Sequence, residues 1–230
     1  LEDGARVYLG LRQLVERYTL SALTLRCFDL VIRLRTTGCL ALAQLNDESV
    51  IAGCEGDLVS TLGMLWAYHL LGQIPWMANP ARLNGADNKL WLAHCTVPRR
   101  LTRRYQLLGT AIPMARYQLL GTAIPMARYR LRSHFESGLG AAIQGEIAPG
   151  PVTLLRIGGA GLERIWLAEG DLLRNGDAED LCRTQVEIRL TQGSVSDLLR
   201  APLGNHLVMV RGRYAGRLRS WWEAMLRPQI

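Results

Sequence analysis

The chain has 230 residues, 49% hydrophobic and 20% charged, which fits a globular protein of one large or two modest domains with a real core. No apolar run is as long as a membrane span and no basic stretch leads into a hydrophobic one, so no membrane partner and a cytoplasmic location are expected. The net charge of +7 comes almost wholly from scattered arginines, with Lys89 the single lysine. That pattern reads as biased residue usage, so no nucleic-acid partner is expected.

In chain order, Leu11–Tyr18 has helical spacing. Leu23–Leu34, rich in Leu, Val and Ile, reads as a buried strand or strand pair. Thr37 can cap a helix over Cys39–Leu45. Val50–Cys54 is a short buried strand, and Asp57 opens a strong helix, Leu58–Leu71, ended by Gly72. His69 inside that helix reads as a packed histidine. Pro75–Asn79 and Leu90–Cys95 read as further strands. Strand alternating with helix indicates an open, mostly parallel sheet over residues 1–96.

Beyond His94 the strands become short and alternating, and glycines multiply. Candidates are Gly140–Ile147, Val152–Ile157, Arg164–Glu169, Thr184–Leu190 and His206–Arg211, with small helices at Ser194–Leu199 and Leu218–Leu226. Residues 97–230 are therefore expected to form an antiparallel β-rich domain, a barrel or a sandwich. An exact repeat interrupts it. Arg104–Ala115 is followed at once by the identical Arg116–Ala127, and two copies cannot build a stacked array. Gln106–Tyr129 reads as a tandem insertion, with a short helix over Met114–Leu120 as its one candidate element.

The five cysteines include no CxxC pair. Buried thiols are expected rather than a disulfide framework or a structural zinc site. The start at Leu1 without Met suggests a fragment or a processed chain.

Chemistry concentrates where Val50–Cys54 meets the following helix. Glu55 and Asp57 lie at the carboxyl end of a strand, where open α/β sheets bind ligands. The helix dipole favours ionised Asp57, a hard-oxygen ligand for Mn²⁺ or Mg²⁺, although Asp is also a leading helix cap. His206 follows Gly204-Asn205 and begins an apolar run. His94 ends a strand, and His134 lies in Ser-His-Phe-Glu-Ser-Gly. No GxSxG, P-loop, HExxH or GxGxxG pattern is present.

Several ordered stretches resemble the C-terminal half of the L-fucose isomerase family, especially its shorter fucose isomerase-like members. They are Leu-Arg-Cys-Phe-Asp-Leu (25–30), Thr-Thr-Gly-Cys-Leu-Ala-Leu-Ala-Gln-Leu-Asn-Asp (36–47), Gly-Cys-Glu-Gly-Asp-Leu (53–58), Ile-Pro-Trp-Met-Ala-Asn-Pro (74–80), Ala-His-Cys-Thr-Val-Pro (93–98), Ser-His-Phe-Glu-Ser-Gly (133–138) and Leu-Gly-Asn-His (203–206). The resemblance implies aldose–ketose isomerisation of fucose- or arabinose-type sugars through an enediol, a homo-oligomer, and Mn²⁺ or another divalent cation bound by Asp57 and His206. It makes Asp57 and Glu55 the catalytic carboxylates and assigns sugar binding to His94, His134, Glu136 and Asn205. The family's other metal carboxylate should precede Thr36-Thr37, where this chain has Val31-Ile-Arg-Leu-Arg35. A non-catalytic carbohydrate-binding or assembly module with the same fold is the alternative.

Overall fold

The computed structural model describes residues 1–104, 126–127 and 129–226. The expected helix over Met114–Leu120 lies outside the described residues. The chain begins with α1 (Glu2–Tyr18), β1 (Ala22–Thr24), α2 (Cys27–Leu34), α3 (Cys39–Asp47), β2 (Ile51–Gly53) and α4 (Leu58–Leu71). β1 and β2 pair in parallel, with Ala22 opposite Ile51 and Thr24 opposite Gly53. Leu23–Leu34 is thus a three-residue strand followed by a helix, not one strand or two. Polar Asp29 and Arg33 stand four residues apart, which suits one helix face and not strand alternation. Thr37 does not cap α3. Gly38 takes that position, and the Thr37 hydroxyl donates to the Ala141 carbonyl. His69 is exposed on α4 and lies edge-on to Tyr68, so it is not a core histidine.

Next come β3 (Trp76–Asn84), β4 (Lys89–His94), a 3₁₀ turn (Arg99–Thr102), and the short strands β5 (Arg103–Arg104), β6 (Met126–Ala127), β7 (Tyr129–Arg132) and β8 (Ala142–Gly145). β9 (Gly150–Gly158), β10 (Arg164–Gly176), β11 (Thr184–Gln192), α5 (Val195–Arg200), β12 (Leu207–Arg211) and α6 (Ala215–Leu226) complete the elements among the described residues. Six strands close into an antiparallel barrel in the order β10-β11-β4-β3-β12-β9. A mixed α/β region with a small parallel sheet therefore precedes a closed β-barrel. β3 and β4 belong to the barrel and not to the parallel pair. Only the few residues Gly85–Asn88 join them, which permits an antiparallel hairpin but not the crossover that parallel strands need.

Strand alternation explains the two-sided core. Trp76, Ala78, Leu154, Leu207 and Met209 share one buried cluster with Leu90, Leu92, Val186 and Ile188 from the facing strands. Their neighbours Met77, Leu155, Val208 and Val210 belong to a second cluster with Met64 and Ala67 of α4 and Leu42 and Leu45 of α3. Because both faces of β12 are covered, Leu207–Val210 reads as an unbroken apolar run. α4 packs directly on β9, β12 and β3, which sets its first turn against one end of the barrel.

Cys27 and Cys54 form a disulfide, their Cα atoms 6.2 Å apart, whereas free thiols were expected. The pairing follows from the parallel register, which brings the chain just beyond β1 and β2 to one end of the sheet, within bridging distance. Cys39, Cys95 and Cys182 are free.

Gly170 sits at a register shift between β10 and β11, and a Cβ there would collide with the Arg189 carbonyl oxygen. Gly170→Ala is expected to lower stability by about 1–3 kcal/mol, since the obstacle is backbone. Chemical denaturation measures it, and an unchanged midpoint would refute the close approach.

Candidate metal centre

The site is assembled from a turn and two strand ends. After β2 the chain turns sharply through Cys54–Asp57, and the Asp57 N–H donates to the Cys54 carbonyl at 3.1 Å. Glu55 takes a left-handed conformation at φ 59°. A residue with a Cβ gains nothing locally by this, at a cost of about 1 kcal/mol or more, so the surroundings must hold it there. Asp57 then caps α4 through Oδ1, which accepts the Ser60 N–H at 2.8 Å.

The barrel register supplies the histidines. β4 and β12 flank β3, with Ala93 opposite Asn79 and Leu207 opposite Ala78. His94 follows Ala93 and His206 precedes Leu207, so the register sets them level with Ala78 and Asn79, on either side of β3. Their rings meet edge to face with centroids 5.3 Å apart. Both are buried, at 2% and 1% exposure.

Each ring is held by its Nδ1. The His206 Nδ1 lies 2.9 Å from Asp57 Oδ2. An ionised carboxylate only accepts, so Nδ1 carries a proton, and in the neutral ring Nε2 keeps its lone pair. The His94 Nδ1 lies 2.8 Å from the Thr96 hydroxyl, which can accept in the same way. Both Nε2 atoms are buried without a hydrogen-bond partner. Both face Glu55, His94 Nε2 at 3.8 Å from Oε1 and His206 Nε2 at 3.5 Å from Oε2.

These spacings suit a shared cation. Two ligands about 2.1 Å from one ion lie roughly 3–3.4 Å apart, close to what is seen. Glu55, His94 and His206 each offer a ligand atom within 4.8 Å of the others, a set that could hold a metal ion. A cavity of about 20 Å³ adjoins Glu55 and His94, enough for about one small particle, with His134, Cys39, Cys95 and Cys182 also on its wall.

The electrostatics agree. His206 and His94 hold the Glu55 carboxyl well below the usual carboxylate range, against the opposing effect of burial. Burial alone would raise Asp57, but His206, the Ser60 N–H and Arg156 outweigh it, and Asp57 too stays far below its ordinary value. Burial lowers His206, but Asp57 and Glu55 more than compensate and raise it. The centre is thus an ionised cup that favours positive charge.

The chain matches no protein-family model. It is 31% identical over 88 residues to a sulfoquinovose isomerase of Alkalicoccus urumqiensis, covering 37% of this chain and 20% of that protein. It is 31% identical over 91 residues to a sulfoquinovose isomerase of Clostridium sp. (strain MSTE9), covering 39% and 20%. The match spans about a fifth of each relative's length. This distant, partial similarity links the chain to sugar isomerases.

Of the residues singled out in the sequence, Asp57, Glu55 and His206 meet at one point, and His94 joins them. His134 lines the adjoining cavity. Glu136 is exposed in the turn that follows, and Asn205 is exposed just before His206. The Asp57 carboxylate is already occupied. Oδ1 takes the helix N–H, while Oδ2 takes the Ser60 hydroxyl at 2.8 Å, Arg156 at 2.9 Å and His206. Sequence reasoning missed Ser60, Thr96 and Arg156. The available signal for Arg156 was a charge inside the apolar run Leu154–Ile157, since arginine is seldom buried without a partner.

Asp57→Ala would remove the α4 cap and leave Arg156 buried opposite no carboxylate. A stability loss of about 3–5 kcal/mol is expected from the broken buried pair, read by urea denaturation of the metal-free protein.

Proposed function

We propose that this chain forms the cation- and sugar-binding part of a metal-dependent aldose–ketose isomerase. The observation that carries the reading is the pair of buried Nε2 atoms, neither of them hydrogen-bonded, that face ionised Glu55. Two imidazoles and a carboxylate suit Mn²⁺ or Zn²⁺, and Mn²⁺ is the first choice for a sugar isomerase. When bound, the cation would polarise adjacent carbonyl and hydroxyl oxygens of an open-chain sugar. Glu55, His94 and His206 would hold it. Asp57 and Thr96 fix the ring orientations from behind, the usual arrangement of outer partners around metal-binding histidines.

Isomerisation then needs a proton moved between neighbouring carbons. Asp57, fully engaged with its donors, is held as a positioning group in this reading. Glu55, part-exposed beside the cavity and held well below the usual carboxylate range, acts in this reading as a cation ligand and not as the proton carrier. His134, on the cavity wall, is placed to donate to a sugar hydroxyl. Arg33 stands where the fucose isomerase pattern expects a metal carboxylate, and His94 supplies the third ligand instead. Exposed Phe28 at the cavity, Ile32 one turn along α2, and Leu58 beside Asp57 support a homo-oligomer that covers this end.

Sulfoquinovose, from the relatives' name, is the first substrate to test, with fucose and arabinose beside it. Purified chain loaded with Mn²⁺ is expected to interconvert one of these aldoses with its ketose, and a chelator should abolish the conversion. Mn²⁺ binding without turnover of any of them would favour the carbohydrate-binding module instead. His94→Ala and His206→Ala should each weaken Mn²⁺ binding by more than about 100-fold, beyond what loss of an outer partner does. Asp57→Asn should cost only about 10–100-fold. Complete loss of binding in Asp57→Asn would make Asp57 a direct ligand and overturn its assignment as an outer partner.

A further inference from the structure

Arg156 lies near the C-terminal end of β9, among Leu154, Leu155 and Ile157, and is 5% exposed. Such a charge requires several acceptors. Its Nη1 donates to Asp57 Oδ2 at 2.9 Å, to the Ser60 hydroxyl, and to the His206 carbonyl at 3.3 Å. Its Nε donates to the Leu203 carbonyl at 3.1 Å. One guanidinium therefore holds both ends of the Leu203–His206 loop together with the carboxylate that orients the His206 ring. The loop is shaped to admit it. Gly204 has φ +148°, and a Cβ there would collide with the Arg156 guanidinium.

We infer that Arg156 is the positioning residue of the cation site, fixing the His206 backbone directly and its imidazole through Asp57. This rests on the cation site proposed above. The geometry gives Arg156 two routes to the same ring. It grips the His206 carbonyl from the barrel side, and it anchors Asp57 so that Oδ2 stays in line with Nδ1. A guanidinium suits this because its donors spread in a rigid fork, which a lysine ammonium cannot reproduce. Gly204 is the complementary feature, since the space that a side chain would fill is the space the guanidinium occupies.

The test compares the parent chain with Arg156→Met, Arg156→Lys and Gly204→Ala. Mn²⁺ affinity is read by titration, and the His206 ring by NMR of its Nδ1 proton in metal-free protein. Arg156→Met should weaken Mn²⁺ binding about 10–100-fold, as loss of outer-partner control does. Arg156→Lys should recover part of that loss. Gly204→Ala should weaken binding in the same direction although Arg156 is present. In all three the His206 proton signal should shift or broaden, a change that loss of global stability alone would not produce. If Arg156→Met does not fold, the lysine and Gly204 variants decide. Mn²⁺ affinity within twofold of the parent, with an unmoved His206 signal, overturns the inference. If the parent binds no Mn²⁺, the cation reading itself fails. The positioning role then stands or falls on whether the His206 signal moves.

Discussion

The Asp57 carboxylate joins the two parts of the structure. Oδ1 closes the first turn of α4, so it belongs to the α/β region. Oδ2 meets Arg156 of β9 and His206 of β12, so it belongs equally to the barrel. One group thus sets the rotation of α4, the place of the loop before β12 and the tautomer of His206. Its ionisation is sustained by donors from both sides, which is why burial does not neutralise it.

The closed barrel gives this junction its rigidity. A strand end on an open sheet can fray, but β4 and β12 are hydrogen-bonded on both sides, to β11 and β3 and to β3 and β9. His94 and His206 therefore leave fixed supports, and their separation follows from the two-strand offset across β3. The Cys54–Asp57 turn approaches from the other side on a helix that packs on the same strands. Glu55, in its left-handed conformation, is the strained member, as is common where a carboxylate is aimed at a point and not simply exposed.

Much of this was legible in the sequence where local chemistry is self-contained. The helix after Asp57, its Gly72 stop, the small helix near Ser194–Leu199 and the glycine-punctuated strands follow from cap and turn rules, and they stand in the structure. The stretch Leu23–Leu34 was misread because six of α2's eight residues are apolar, a density that fits a buried strand as well as a short helix. The barrel membership of β3 and β4 depends on pairings with β12 and β11, about 90 to 130 residues later, and no local pattern encodes that. Asp57, Glu55 and His206 stood out because they lie in short distinctive motifs. Arg156 and Thr96 did not, since their role exists only once β9 and β4 have been brought beside α4 and β12.

The same reasoning explains how a site can rest on His94 without the carboxylate expected near Arg33. Of the α2 side chains before Thr36, Phe28 and Val31 line the cavity beside Glu55, whereas Arg33 is exposed and does not. His94, by contrast, is carried beside Glu55 by barrel register, at no cost beyond the Thr96 contact that steadies its ring. Exchanging a carboxylate for an imidazole removes one negative charge from the ligand set. The make-up of the Glu55, His94 and His206 group is therefore set by the pairing of two strands across β3, as much as by the Glu-Gly-Asp turn that first draws attention to it.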